Sequence, residues 1–96
     1  LSVDTGGALS VDGTLSTDGA LDVNTGATLT VTDGGVVNIT NSGTLTVDGT
    51  LTIDTGTVNL DGTLVVNTGS NVLVTDGGFI DVDGALTVNL DGVITV

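Results

Sequence analysis

The chain has 96 residues, 12 of them Asp, with no Glu, Lys, Arg, His, Cys or Tyr, and a formal net charge of −12. That charge repels nucleic acid and anionic membrane surfaces, so neither nucleic-acid binding nor membrane insertion is expected, whereas divalent cations, basic partners and neutral sugars remain compatible. With Asp as the sole side-chain acid or base, nucleophilic triads, Schiff bases, thiolates, disulfides and imidazole metal sites are excluded, and no enzymatic activity is expected.

Apolar residues make up 39% of the chain. They alternate regularly with polar ones, which argues for a folded domain over the disorder that high charge and few aromatics otherwise signal. No apolar run approaches the ~20 residues of a transmembrane helix, and no stretch reads as a signal peptide. The chain opens on Leu1 in place of Met, as a processed, excised or engineered chain would. A single domain over residues 1–96, or a piece of a longer array, is expected.

Taken in chain order, short strands are predicted around inward pairs, apolar except at Thr17. They begin Leu1/Val3, Leu9/Val11, Leu15/Thr17, Leu21/Val23, Leu29/Val31 and Val37/Ile39. They continue Leu45/Val47, Leu51/Ile53, Val58/Leu60, Leu64/Val66, Val72/Val74, Ile80/Val82, Leu86/Val88 and Ile94/Val96. Within each pair one polar or outward residue intervenes, the period of a strand with one buried face. All 16 Gly fall between the pairs, so they mark corners.

Asn24-Thr25-Gly26 recurs as Asn67-Thr68-Gly69, and Val31-Thr32-Asp33-Gly34-Gly35 recurs as Val74-Thr75-Asp76-Gly77-Gly78. Grouping every third strand gives three apolar columns: Leu1, Leu21, Leu45, Leu64, Leu86; then Leu9, Leu29, Leu51, Val72, Ile94; then Leu15, Val37, Val58, Ile80. Three strands per coil, at roughly 21–22 residues, predict an all-β, three-sided parallel β-helix of about four and a half coils. A two-sided solenoid with coils of roughly 14 residues is the competing arrangement. Uneven corner lengths favour a right-handed helix over the near-strict six-residue sides of left-handed ones.

The run Gly43-Thr44-Leu45-Thr46-Val47-Asp48-Gly49-Thr50-Leu51-Thr52-Ile53-Asp54 resembles the β-solenoid stalks of bacterial surface adhesins and autotransporter passenger domains. The resemblance covers essentially the whole chain. It implies an extracellular or cell-surface location and an elongated, adhesive or structural role.

The Asp residues gather at the corners. Asp12, Asp33, Asp54 and Asp76, spaced 21, 21 and 22 residues apart, are expected to stack as one column after the second strand of each coil. Carboxylates ~5 Å apart repel by ~1 kcal/mol in water and ~3 kcal/mol at an effective dielectric near 20. Bound Ca²⁺ would relieve this, which makes the column a candidate metal site; the plainer reading is a solvated turn residue. No complete Ca²⁺ motif supports the metal: neither Gly34-Gly35 nor Gly77-Gly78 is followed by the Gly-x-Asp of the calcium nonapeptide, and Asp81-Val82-Asp83-Gly84 lacks a later Glu. The other corners hold Asp4, Asn24, Asp48, Asn67, Asn89 and Asp18, Thr40, Asp61, Asp83.

Asn67 with Asn89, and Asn38 with Asn59, are expected to form amide ladders along the axis. Thr28-Leu29-Thr30 and Thr50-Leu51-Thr52 are expected on successive rungs of one face, as in ice-binding solenoids. The functional expectation is a structural rod, either a fibre subunit or an adhesin stalk, joined head to tail through uncapped ends. The alternatives are a Ca²⁺-dependent surface adhesin and an ice-binding solenoid.

Overall fold

The computed structural model describes residues 1–89 and 91–95. Fourteen strands are found among them: β1 (Ser2–Val3), β2 (Ala8–Val11), β3 (Thr14–Thr17), β4 (Ala20–Val23), β5 (Thr28–Val31), β6 (Val36–Ile39) and β7 (Thr44–Val47). The rest are β8 (Thr50–Asp54), β9 (Thr57–Leu60), β10 (Thr63–Val66), β11 (Asn71–Thr75), β12 (Phe79–Val82), β13 (Leu86–Val88) and β14 (Val93–Thr95). No described residue is helical, so no helix is long and apolar enough to cross a membrane.

Every third strand pairs, in parallel, with the one a coil below. The first sheet runs β1-β4-β7-β10-β13, the second β2-β5-β8-β11-β14, and the third β3-β6-β9-β12. The chain is a three-sided parallel β-solenoid of about four turns, and the two-sided alternative is ruled out by the third sheet. Each strand is four or so residues because a corner Gly ends it, and each corner is short enough to hand the chain straight to the next face.

The register is the one that the apolar columns require. Leu21, Leu45, Leu64 and Leu86 are direct partners in the first sheet. Leu9, Leu29, Leu51, Val72 and Ile94 are partners in the second, and Leu15, Val37, Val58 and Ile80 in the third. A one-residue slip would turn these side chains outward, so burial locks the register. The inward position of Val96, expected beside Ile94, lies outside the described residues.

Leu21, Leu29, Leu45, Leu51, Ile53 and Val58 are wholly buried, in one continuous core along the axis. Each such side chain contributes roughly 1.5–3 kcal/mol. Enclosure falls off at both ends. Leu9, Leu15 and Thr17 of the first coil are half-buried, and Leu86 and Val88 of the last are exposed. The chain measures 30 × 25 × 24 Å along its principal axes. It is a squat block, and elongation requires more coils than it contains.

Candidate functional site

Three rows of polar side chains run up the corners, and each is built by the residue that follows the last inward residue of a strand. After the first sheet these are Asp4, Asn24, Asp48, Asn67 and Asn89, as expected. The Asn67 Nδ2 donates to Asp48 Oδ1 at 2.6 Å, and Asn89 Nδ2 donates to Asn67 Oδ1 at 2.8 Å. Asn24 Nδ2 approaches Asp4 Oδ1 at 3.5 Å. Placing Asn next to Asp converts a like-charge contact into a charge-assisted hydrogen bond.

After the third sheet come Asp18, Thr40, Asp61 and Asp83, also in register, with the backbone N–H groups of Thr40, Asp61 and Asp83 donating to Thr17, Ile39 and Leu60 of the coil below. Thr40 Oγ1 donates to Asp18 Oδ1 at 2.7 Å. The expected Asn38–Asn59 ladder is present too, Asn59 Nδ2 donating to Asn38 Oδ1 at 2.9 Å.

The column of Asp12, Asp33, Asp54 and Asp76 does not form as a single row. The register of the second sheet advances from Val11 to Val31 to Ile53 to Val74, and the residues that follow are Asp12, Thr32, Asp54 and Thr75. Thr75 is the direct partner of Asp54, and Thr32 Oγ1 donates to Asp12 Oδ1 at 2.6 Å. Asp33 and Asp76 lie one residue further on, in left-handed conformation with φ of 51° and 50°. The cause is corner length: Asp12-Gly13 is a two-residue corner, whereas Thr32-Asp33-Gly34-Gly35 is four and Asp76-Gly77-Gly78, after Thr75 at the end of β11, is three. The near-even numbering of the four Asp therefore conceals a slip.

Asp33, Asp54 and Asp76 nonetheless share one electrostatic neighbourhood. Partial burial pushes the Asp54 carboxyl above its usual value. The Asp76 carboxylate pushes it further by charge and by a hydrogen bond, and the Asp33 carboxylate adds to this. Among the described residues, no group of three or more acidic side chains is arranged to hold a metal ion.

A groove that sequence reasoning did not find lies on the third sheet. It has a volume of about 210 Å³ and runs between the outward row Ser16, Asn38, Asn59, Asp81 and the corner row Thr40, Asp61, Asp83. Asp81 is the register partner of Asn59. The signal available in the sequence was Asp81-x-Asp83, two outward carboxylates across one inward Val82. Its donors and carboxylates fit a hydrated cation or a hydroxyl-rich surface, and it offers no nucleophile beyond carboxylate.

The threonine rungs also fall into place, Thr28 beside Thr50 and Thr30 beside Thr52. Asn71 and Leu73 interrupt both rows on the next rung. Ser70 is the one buried polar side chain without a partner among the described residues. It immediately precedes β11, as Gly7, Ala27, Gly49 and Gly92 precede the other strands of its sheet, a position otherwise reserved for minimal side chains.

No protein-family model matches the chain, and no curated protein or solved structure does either.

Proposed function

We propose that the chain is a structural module, a length of β-solenoid rod that serves as a fibre subunit or as part of an adhesin stalk. The observation that carries this reading is one apolar core that runs continuously along the axis through three stacked parallel sheets. Coils that repeat one register and bury one another's apolar side chains can be stacked to any length, which is what a rod requires. Among the described residues the corners carry no long loop that could wall a catalytic cleft, which supports a non-enzymatic role. An extracellular or cell-surface location belongs to the proposal and rests on the resemblance of the repeat alone.

Negative-stain microscopy of the purified chain at moderate ionic strength tests it. Filaments about as wide as one solenoid are the expected result. Monomers that capture a partner only when Ca²⁺ is present would replace this reading with that of a calcium-dependent adhesin.

A further inference from the structure

The dipeptide Asp-Gly occurs eight times in the chain. An Asp-Gly bond rearranges without an enzyme where the backbone lets it. The Gly amide nitrogen attacks Cγ of the Asp carboxyl and closes a succinimide ring; the carboxyl hydroxyl leaves with the amide proton as water. Water then opens the ring at either carbonyl. Opening at Cγ restores Asp. Opening at the main-chain carbonyl gives isoaspartate, in which the chain runs through Cβ and Cγ and the former main-chain carbonyl is a free carboxylate. Mass is unchanged. Gly favours the attack because it has no Cβ to shield its nitrogen. We propose that Asp33-Gly34 and Asp76-Gly77 are sites of spontaneous isoaspartate formation, and that the coil stack protects the other six.

For ring closure the Asp must rotate about its Cα–C bond until the next amide nitrogen faces its own side chain. A residue whose backbone is hydrogen-bonded to a neighbouring coil loses that bond when it rotates. Asp33 and Gly34 have φ of 51° and 76°, and Asp76 and Gly77 have 50° and 83°. Two consecutive positive φ values make each pair the tip of a type I′ turn. Gly35 N–H closes the first turn on the Thr32 carbonyl, and Gly78 N–H closes the second on that of Thr75, each at 2.8 Å. Among the described residues the four tip residues have no backbone hydrogen-bond partner for either their N–H or their C=O. All four are exposed. Both attacking nitrogens, those of Gly34 and Gly77, are therefore free to turn with no ladder bond to lose.

The other six pairs are tied. Gly49 N–H donates to the Val23 carbonyl at 3.1 Å, and Gly92 N–H donates to that of Asn89 at 2.9 Å, so in both the attacking nitrogen is engaged. The N–H groups of Asp61 and Asp83 donate to the coil below, and the carbonyls of Gly13 and Gly19 accept from Val36 and Thr44 of the coil above. Asp76 differs from Asp33 in one respect: its carboxyl is hydrogen-bonded to Asp54. Reaction there breaks that bond as well, which ranks Asp33-Gly34 first. The rearrangement lengthens the main chain by one atom at a tip that carries none of the inter-coil bonds, so the strands on either side keep their register.

Ageing the purified chain for some weeks in warm, mildly acidic buffer tests the assignment. An endoprotease that cuts before Asp leaves isoaspartate uncut, and electron-transfer fragmentation then locates the altered residue. Isoaspartate is expected at Asp33 first and Asp76 second, each about tenfold above Asp48 or Asp61, because a residue free of the ladder opens at little cost. The same chain aged in urea is expected to react at all eight pairs alike. Equal accumulation at the eight pairs in the folded chain overturns the proposal. The variants Asp33→Asn and Asp48→Asn give a second, faster readout. Here ring closure expels ammonia in place of water and ring opening takes up water, so each event changes the mass. Asn-Gly suits a type I′ turn, and an amide oxygen at position 48 can still accept from Asn67. The Asp33→Asn variant is expected to deamidate about tenfold faster than the Asp48→Asn variant when folded, and at the same rate in urea. Equal rates in the folded variants, or a faster Asp48→Asn, overturn the claim that the stack decides which pairs react.

Discussion

Leu51 shows how much a single inward position carries. It is fully buried between Leu29 below and Val72 above. A carboxylate in its place has no cationic side chain to meet, because the chain contains none. Leu51→Asp therefore places an unpaired charge in the core, which costs several kcal/mol, or holds a proton to avoid it. We expect this variant to lose its β circular dichroism signal at room temperature. Thr52→Asp, one residue along and on the outer face beside Thr30, is expected to change stability by less than about 1 kcal/mol. A larger loss from Thr52→Asp would reverse the inward and outward assignment. Asp54 makes a different prediction. Its folded carboxyl titrates above the usual 3.8, through partial burial first and then Asp76 and Asp33. A group so raised binds more protons in the folded state than in the unfolded one. Stability should thus fall as pH rises from near 4 through the folded pKa. Asp54→Asn removes that dependence. Its melting temperature should exceed that of the parent at pH 7 and approach it near pH 3.5, in low salt with chelator. Parallel curves for the two proteins at both pH values would show that the three carboxylates do not interact.

The corners explain what could and could not be read in advance. Strands and apolar columns were legible because alternation survives any corner length: each strand restarts its own period after its own Gly. The Asp4 and Asp18 rows were legible too, since in every coil the polar residue directly follows the last inward one. The row through Asp12 was not, because in Val31-Thr32-Asp33 and Val74-Thr75-Asp76 the Asp comes second. Counting from the inward Val, in place of counting between Asp residues, would have exposed the slip. The third-sheet groove was hidden for another reason: it depends on outward residues from four coils, and Asp81-x-Asp83 is the one local pattern that marks any of them. Corner geometry also sets which glycines are replaceable. A Cβ on Gly62 would lie 2.0 Å from the carbonyl oxygen of Gly43, directly below it. Neither backbone can retreat without breaking the ladder, so Gly62→Ala should cost about 2–3 kcal/mol. A Cβ on Gly13 meets nothing within 4 Å, and Gly13→Ala should be neutral or stabilise by up to about 1 kcal/mol through the unfolded chain. Urea denaturation of both variants checks the contrast, and equal effects would mean that the coils can spread apart at the Gly62 corner.

Stacked coils are stable only through their neighbours, so stability should be distributed unevenly along the axis. The wholly buried side chains run from Leu21 to Val66. Outside that span Leu15, Ile80, Val82 and Ile94 are only partly covered, and Leu1, Phe79, Leu86 and Val93 are largely exposed. A terminal coil has one partner where a central coil has two, and it forfeits roughly half of the apolar contact and half of the inter-strand hydrogen bonds. Opening an end coil therefore costs much less than opening β7, β8 or β9. Hydrogen exchange of the monomer, followed by mass spectrometry, should show the slowest amides in β5 through β9. Protection should decline toward β1 at one end and toward β13 and β14 at the other. Uniform protection from β1 to β14 in the monomer would contradict the nearest-neighbour account. It would mean that the core formed by Leu21 to Val66 opens only as one cooperative unit together with its ends.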